Sequence, residues 1–394
     1  MNAPQTDHGG FGVELAPRAK TLVLVLASAG LCAAGAAYLL DPARAAFAHL
    51  VSYLFLVSVT VGSLFLIALE YITGAVWSVP MRRVSEALAG LTPWLAIAAA
   101  PLYGHLHELF HWTHAEAVAQ DPLLEGKTPY LNVTFFTVRT VGSILLWSLF
   151  AHLFIRNSLR QDATRDPLHT RANVRLAAVF LPVFAVTLTL TAVDWTMSLE
   201  PHWFSTILGV YFFAGTVLAG LASATYIVVR LMEAGRYPHL RKDHLYSLGA
   251  LMFGFVNFWA YIAFSQFLLI WYANLPEETF WFMARWHNGW EYVSVLLILV
   301  HFLIPYFLLL PQEAKMNPQR LKFMALWILA AHALDLYWLV MPTHSPSPVV
   351  SWQEAGFAAA AVALLVLGAS SRLRRTGLTP VGDPKLPKAL EFRL

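Results

Sequence analysis

Long apolar runs dominate this chain, at 21–40, 45–69, 85–103, 132–154, 175–195, 205–231, 245–272, 291–310, 321–341 and 352–369. A helix rises about 1.5 Å per residue, so roughly 20 such residues cross about 30 Å of hydrocarbon. Inside that layer every backbone N–H and C=O must be satisfied within the segment itself. The runs therefore predict an all-α polytopic membrane protein with about 10 transmembrane helices. Composition excludes the soluble alternative. Hydrophobic residues are 58% of the 394 and charged residues 12%, with a mean hydropathy of +0.58, too apolar for a soluble domain of this length. The first run is longer than a secretory signal core, and Leu31 is not the small residue a lipoprotein cleavage site places before Cys32, so it is expected to remain as a helix.

Cys32 is the single cysteine. Disulfide frameworks, iron–sulfur clusters and C-x-x-C-H haem attachment are thereby excluded within the chain, and no covalently bound cofactor is expected. Any thiolate-held redox centre belongs to a partner.

The basic residues test the helix count. With the N-terminus on side one, 22 of the 26 Lys and Arg fall on that side, and Arg44, Lys127 and Arg285 fall on side two; Arg139 lies inside a run. Such asymmetry places side one, with both termini, in the cytoplasm. Three segments follow: an N-terminal cytoplasmic segment at 1–20, a ten-helix membrane domain at 21–371 and a cytoplasmic tail at 372–394. The end of that tail, punctuated by Pro and Gly, is expected to lie extended along the cytoplasmic face or a neighbouring subunit.

HLHELFHWTHAE, residues 105–116, puts four histidines outside the membrane after the third run. As one helix it would set His107, His111 and His114 on one face and turn His105 away. No spacing in it matches a strong metal signature such as H-E-x-x-H, and no metal site is expected. Docking of a partner on this outer loop is the better reading.

Charged groups within the bilayer are costly and default to functional candidates. In the fourth run Asn132, Arg139 and Ser143 share a face, and the fifth offers Thr187, Thr191 and Asp194. These runs are sequential and antiparallel, so an Arg139–Asp194 ion pair is expected, either as a clamp between helices or beside a quinone or proton site. In the eighth run Glu291, Ser294 and His301 fall within an arc of about 80° at 100° per residue, leading from the outer surface to mid-membrane. The ninth adds His332 and Asp335 at i, i+3. Imidazole takes a proton on one nitrogen and releases it from the other, so Glu291, His301, His332 and Asp335 form a candidate outward proton half-channel. Packing of two satisfied histidines between helices is the plain alternative. A bis-His haem b is a third reading, with small residues beside His332 but not beside His301.

HWTHAEAVAQDPLLEGKTPYLNVTFFTVRT (111–140), VDWTMSLEPHWFSTILGVYFFAG (193–215) and the ending GDPKLPKALEFRL together resemble the ActF-type subunits of alternative complex III, the bacterial quinol:cytochrome c oxidoreductase. The resemblance covers nearly the whole chain. It implies an NrfD/PsrC-like fold of two four-helix bundles, helices 2–5 and 6–9, flanked by helices 1 and 10, in a bacterial inner membrane. It also implies a role in quinol oxidation and proton conduction, with quinone or menaquinone as the ligand. The implied partners are an ActC-type NrfD-like subunit, multihaem cytochrome c and iron–sulfur subunits that carry the haems and clusters, and membrane lipid. No nucleic-acid partner is expected. A secondary transporter, or a b-haem membrane anchor of another oxidoreductase, stays open as an alternative. A transporter should show breaks at matching places in two halves, and Pro101, Pro182 and Pro305 are isolated.

Overall fold

The structure, a computed structural model, describes residues 15–394, so most of the expected N-terminal segment lies outside the described residues. Those residues are helical throughout, with no strand, and form a polytopic helical membrane protein. Nine helices among them are long and apolar enough to cross a membrane: Pro17–Leu40, Pro42–Thr73, Val133–Thr164, Leu168–Leu199, Leu208–Glu233, Lys242–Ala273, Trp290–Leu309, Pro318–Thr343 and Trp352–Arg375.

The third expected span is instead two helices, Arg82–Ala89 and Trp94–Tyr103. Gly90 weakens the helix and Pro93 has no N–H to donate. Between them the ladder tightens to i→i−3 bonds: Leu91 N donates to Leu88 O, Thr92 N to Ala89 O and Trp94 N to Leu91 O. The two-piece segment still runs from one side to the other. Arg82 at its start pairs with Glu70 near the end of the second span. Just past its far end, His105 stacks on Tyr38 near the end of the first. With this segment counted as the third span, the nine helices are spans one, two and four to ten.

Local chemistry sets where the helices start. Asp41 accepts from Arg44 N and precedes Pro42; Asn132 accepts from Phe135 N; Asn317 accepts from Gln319 N and Arg320 N ahead of Pro318. Ser351 and Glu354 form a reciprocal capping box. The Glu354 carboxylate also meets Arg44 at 3.0 Å, which ties the start of the tenth span to that of the second.

The second and sixth spans are the most enclosed, 78% and 83% buried over their apolar windows, whereas the first is 11% buried and presents Leu22, Val25 and Leu31 outward. The second span touches the first, third, fourth, fifth, sixth, ninth and tenth; the sixth also touches the fifth, seventh and ninth; the first and tenth lie together. Small residues permit the central crossing. A Cβ on Gly62 would stand 2.1 Å from Thr216 O, and one on Gly220 would stand 2.5 Å from Gly62 C. In lipid, where hydrocarbon tails compete equally for apolar side chains, such close backbone approach is a main source of helix association.

The tail packs against its own chain. Asp383 binds Arg82 at 2.7 Å, Gly382 N donates to Asp162 Oδ1, and the Tyr237 hydroxyl donates to Leu378 O. His244 accepts at Nδ1 from Arg241 N, so its Nε2–H is the group that donates to Ala389 O.

Candidate functional site

Four consecutive spans bring Tyr211, Trp259, His301, His332 and Asp335 to one buried point. His301, His332 and Asp335 are each 1–2% exposed, and one donor atom from each lies within 4.8 Å of the others. The Tyr211 hydroxyl donates to Asp335 Oδ1, and the Trp259 indole N–H donates to Asp335 Oδ2 at 3.1 Å. The His301 ring stacks on Trp259 at 3.8 Å, and its centroid is 6.3 Å from that of His332. His332 Nδ1 stands 3.9 Å from Asp335 Oδ2, an electrostatic contact longer than a hydrogen bond.

Backbone features fit these side chains together. Residues Ile298–Leu303 form a π-helical turn around His301, a local widening that departs from the 100° register of the rest of the span. On the sixth span Gly215 makes room for an imidazole, since a Cβ there would lie 2.7 Å from His332 Cε1. Among the described residues neither ring nitrogen of His301 or His332 has a hydrogen-bond partner. A buried polar group left unpaired costs about 1–3 kcal/mol, so two such imidazoles side by side call for a functional reason. The cluster holds one carboxylate fixed by two aromatic donors and two imidazoles with free nitrogens, a set suited to passing protons over short steps.

Three donors of this kind also occur around metals, but tetrahedral zinc with bonds of about 2.0–2.2 Å sets its ligand atoms roughly 3.4 Å apart. The 3.9 Å from His332 to Asp335 would have to contract. A porphyrin slot between the imidazoles is not present, because the carboxylate stands within 4.8 Å of both and Trp259 lies flat on His301.

The other sequence candidates lie elsewhere. Glu291 is at the start of the eighth span, where its carboxylate accepts from Gly289 N. Ser294, on the expected stripe, donates to Arg285 O and accepts from the Trp338 indole. Arg139 and Asp194 form a two-pronged ion pair, Nε to Oδ2 and Nη2 to Oδ1, both at 2.8 Å. Arg139 also donates from Nη1 to Tyr130 O and stacks on the rings of Tyr130 and Phe135.

The histidine-rich loop is not one helix but three short turns, Leu106–Leu109, His111–Thr113 and Ala115–Gln120. The His107 and His114 rings still approach to 5.2 Å and those of His111 and His114 to 6.0 Å, while His105 sits on Tyr38. Beyond it, Asp121 meets His202 at 2.5 Å and Lys127 Nζ donates to Pro201 O. The His202 hydrogen bond holds the exposed Asp121 carboxyl below the usual range. Burial instead raises Glu200, in the same loop as His202, and pulls the Arg285 guanidinium down to about 9, still charged at neutral pH.

Reasoning on ionisable residues missed Tyr211 and Trp259, whose OH and N–H mark them only once Asp335 is placed beside them. It also missed a buried ion cluster of Glu70, Arg82, Arg83, Glu86, Asp162 and Asp383. Compared with known proteins, the chain matches no family model and no curated protein.

Proposed function

We propose that this chain is an ActF-type membrane subunit of a bacterial quinol:cytochrome c oxidoreductase of the alternative complex III class, and that its sixth to ninth spans carry a proton relay. The observation that carries the relay is the His301–His332–Asp335 cluster, buried and with four imidazole nitrogens that have no hydrogen-bond partner among the described residues. In it Asp335 is the anchored acceptor, His332 and His301 exchange protons with it and with each other, and Glu291 marks the outer mouth. The helix contacts are compatible with two bundles, the second span meeting the third to fifth and the sixth meeting the seventh and ninth, joined through the second, fifth, sixth and ninth spans, while the first and tenth lie together. Basic residues gathered on the side of the tail support cytoplasmic termini and an inner-membrane setting. Haems and iron–sulfur clusters belong to the partner subunits on this reading.

Arg139 and Asp194 do not fit a quinol site as they stand. Both oxygens of the 1%-exposed Asp194 accept from the Arg139 guanidinium, whose positive charge favours the carboxylate over its protonated form, whereas the two donors on Asp335 are neutral. The pair reads as a clamp between the fourth and fifth spans.

A transporter is the second reading that a specific feature raises, because the third span is broken and the eighth contains a π turn. In a repeated architecture, though, the third span corresponds to the seventh, and Lys242–Ala273 is unbroken.

Two measurements test the proposal. Purified from its native membrane, the chain should bring down haem-bearing partners; isolation alone would refute the complex. In reconstituted vesicles, His332→Phe and His301→Phe should lower the protons released per electron while assembly and haem content stay intact, and an unchanged ratio would refute the relay.

A further inference from the structure

A cavity of about 490 Å³ lies where the break in the third span faces the fourth and tenth spans, on the side of the chain that carries most of the arginines. Its volume is within the roughly 300–1,000 Å³ typical of ligand sites. One wall is a single stripe of the fourth span, Ser148, His152, Arg156 and Arg160, spaced i, i+4, i+8, i+12. At about 1.5 Å per residue that stripe is a ladder of donors some 18 Å long. Arg372 of the tenth span faces it, and the floor is the broken turn at Gly90, Thr92 and Pro93. Gly90 lets the guanidinium lie close over the break, since a Cβ there would stand 2.5 Å from Arg372 Nη1.

Two further observations point to an anionic ligand. No carboxylate lines the cavity; the nearby Asp162 is engaged with Arg83 and with Gly382 N. Among the described residues Arg156, Arg160 and Arg372 have no carboxylate partner, so three guanidiniums converge uncompensated. Next to the lining residues Pro93 and Ser148 along the third and fourth spans, Trp94, Ile97, Leu145 and Leu149 are each 46–65% exposed, an apolar surface adjoining the cavity. A ligand that fits this has a phosphate for the arginines and hydrocarbon chains for the adjoining apolar surface.

We propose that this cavity binds the headgroup of an anionic glycerophospholipid, with its phosphate held by Arg156, Arg160 and Arg372 and its acyl chains lying along the fourth span and the second half of the third. Net negative charge is preferred because three guanidiniums repel a choline or ethanolamine cation. Basic pockets between helices on the positive side of a membrane bind anionic lipid for this electrostatic reason. The proposal does not depend on the respiratory reading.

The test is lipid retention by the full-length chain in detergent, measured by native mass spectrometry with phosphatidylglycerol or phosphatidylcholine of identical acyl chains. The wild-type chain should retain phosphatidylglycerol about a hundredfold better than phosphatidylcholine, as roughly 1 kcal/mol for each of the three arginines implies. Arg156→Gln with Arg372→Gln should abolish that preference. Arg171→Gln with Arg175→Gln, the same charge change at exposed positions near the start of the fifth span, should keep it. Ser148→Phe fills the cavity without altering charge and should also release the lipid, a check that remains if the double arginine variant does not fold. Equal retention of the two lipids by the wild-type chain would overturn the proposal, as would equal loss in both double variants or displacement by millimolar inorganic phosphate alone.

Discussion

Arg139 and Asp194 show how two charges can sit inside a bilayer helix pair without acting on a substrate. Each is nearly fully buried, both carboxylate oxygens accept from one guanidinium, and Tyr130 supplies a third acceptor and a stacking face. Removing one partner leaves the other charge uncompensated in a low-dielectric interior, at a cost of about 3–5 kcal/mol, whereas replacing both with apolar residues of similar size is often neutral. Asp194→Asn should therefore lower the thermal unfolding midpoint of the purified chain sharply, and Arg139→Met combined with Asp194→Leu should recover most of the loss. Quinol turnover in the intact complex should survive in the double variant. A double variant that is stable yet inactive would return the pair to the chemistry. This pair was legible in sequence because antiparallel neighbours with opposite charges at matching depth have few other ways to be satisfied. His301, His332 and Asp335 were legible for a related reason, since ionisable side chains are rare in spans and each needs an explanation. Tyr211 and Trp259 were not, because aromatic residues are ordinary membrane content until a neighbour uses their polar atoms.

At the scale of elements, helix existence followed from apolar length, while several starts are set by capping residues that hydropathy does not register, such as Asp41, Asn132 and Ser351. What hydropathy could not reveal was continuity. Averaging over a span hides the Gly90–Pro93 interruption and the π turn around His301, each set by a few backbone hydrogen bonds. Which helices cross closely was hidden as well, although small residues carry it. Gly62 and Gly220 allow the second and sixth spans to meet backbone to backbone, while Gly142, on the fourth span, has nothing within 4 Å of where its Cβ would be. Gly62→Val should force these spans apart, with an overpacking cost of about 1–3 kcal/mol or more. Gly142→Val should be close to neutral. Comparing unfolding midpoints of the two variants in the same detergent checks this, and equal midpoints would mean that the central crossing is not a main source of stability.

At the scale of the whole molecule, the ion cluster joins segments that sequence reading treated as separate loops and a tail. Glu70 ends the second span, Arg82, Arg83 and Glu86 start the third, Asp162 ends the fourth, and Asp383 comes from the last twelve residues. Two guanidiniums serve four carboxylates there, so losing an arginine and losing an acid are unequal events. Arg82 bridges Glu70, Glu86 and Asp383, and Arg82→Gln would leave those acids facing one another with only Arg83 between them. Asp383→Asn removes one acid from an acid-rich cluster, and the tail keeps Gly382 N on Asp162, Tyr237 on Leu378 O and His244 on Ala389 O. Asp383→Asn should therefore loosen only the tail, raising hydrogen exchange over 380–386 while the spans keep their protection. Arg82→Gln should raise exchange at the ends of the second, third and fourth spans as well and lower the global unfolding midpoint. Hydrogen exchange followed by mass spectrometry separates the two. If Arg82→Gln loosened only the tail, the cluster would be a latch for that segment rather than the joint between the spans, and the tail's place on this face would rest on its backbone contacts alone.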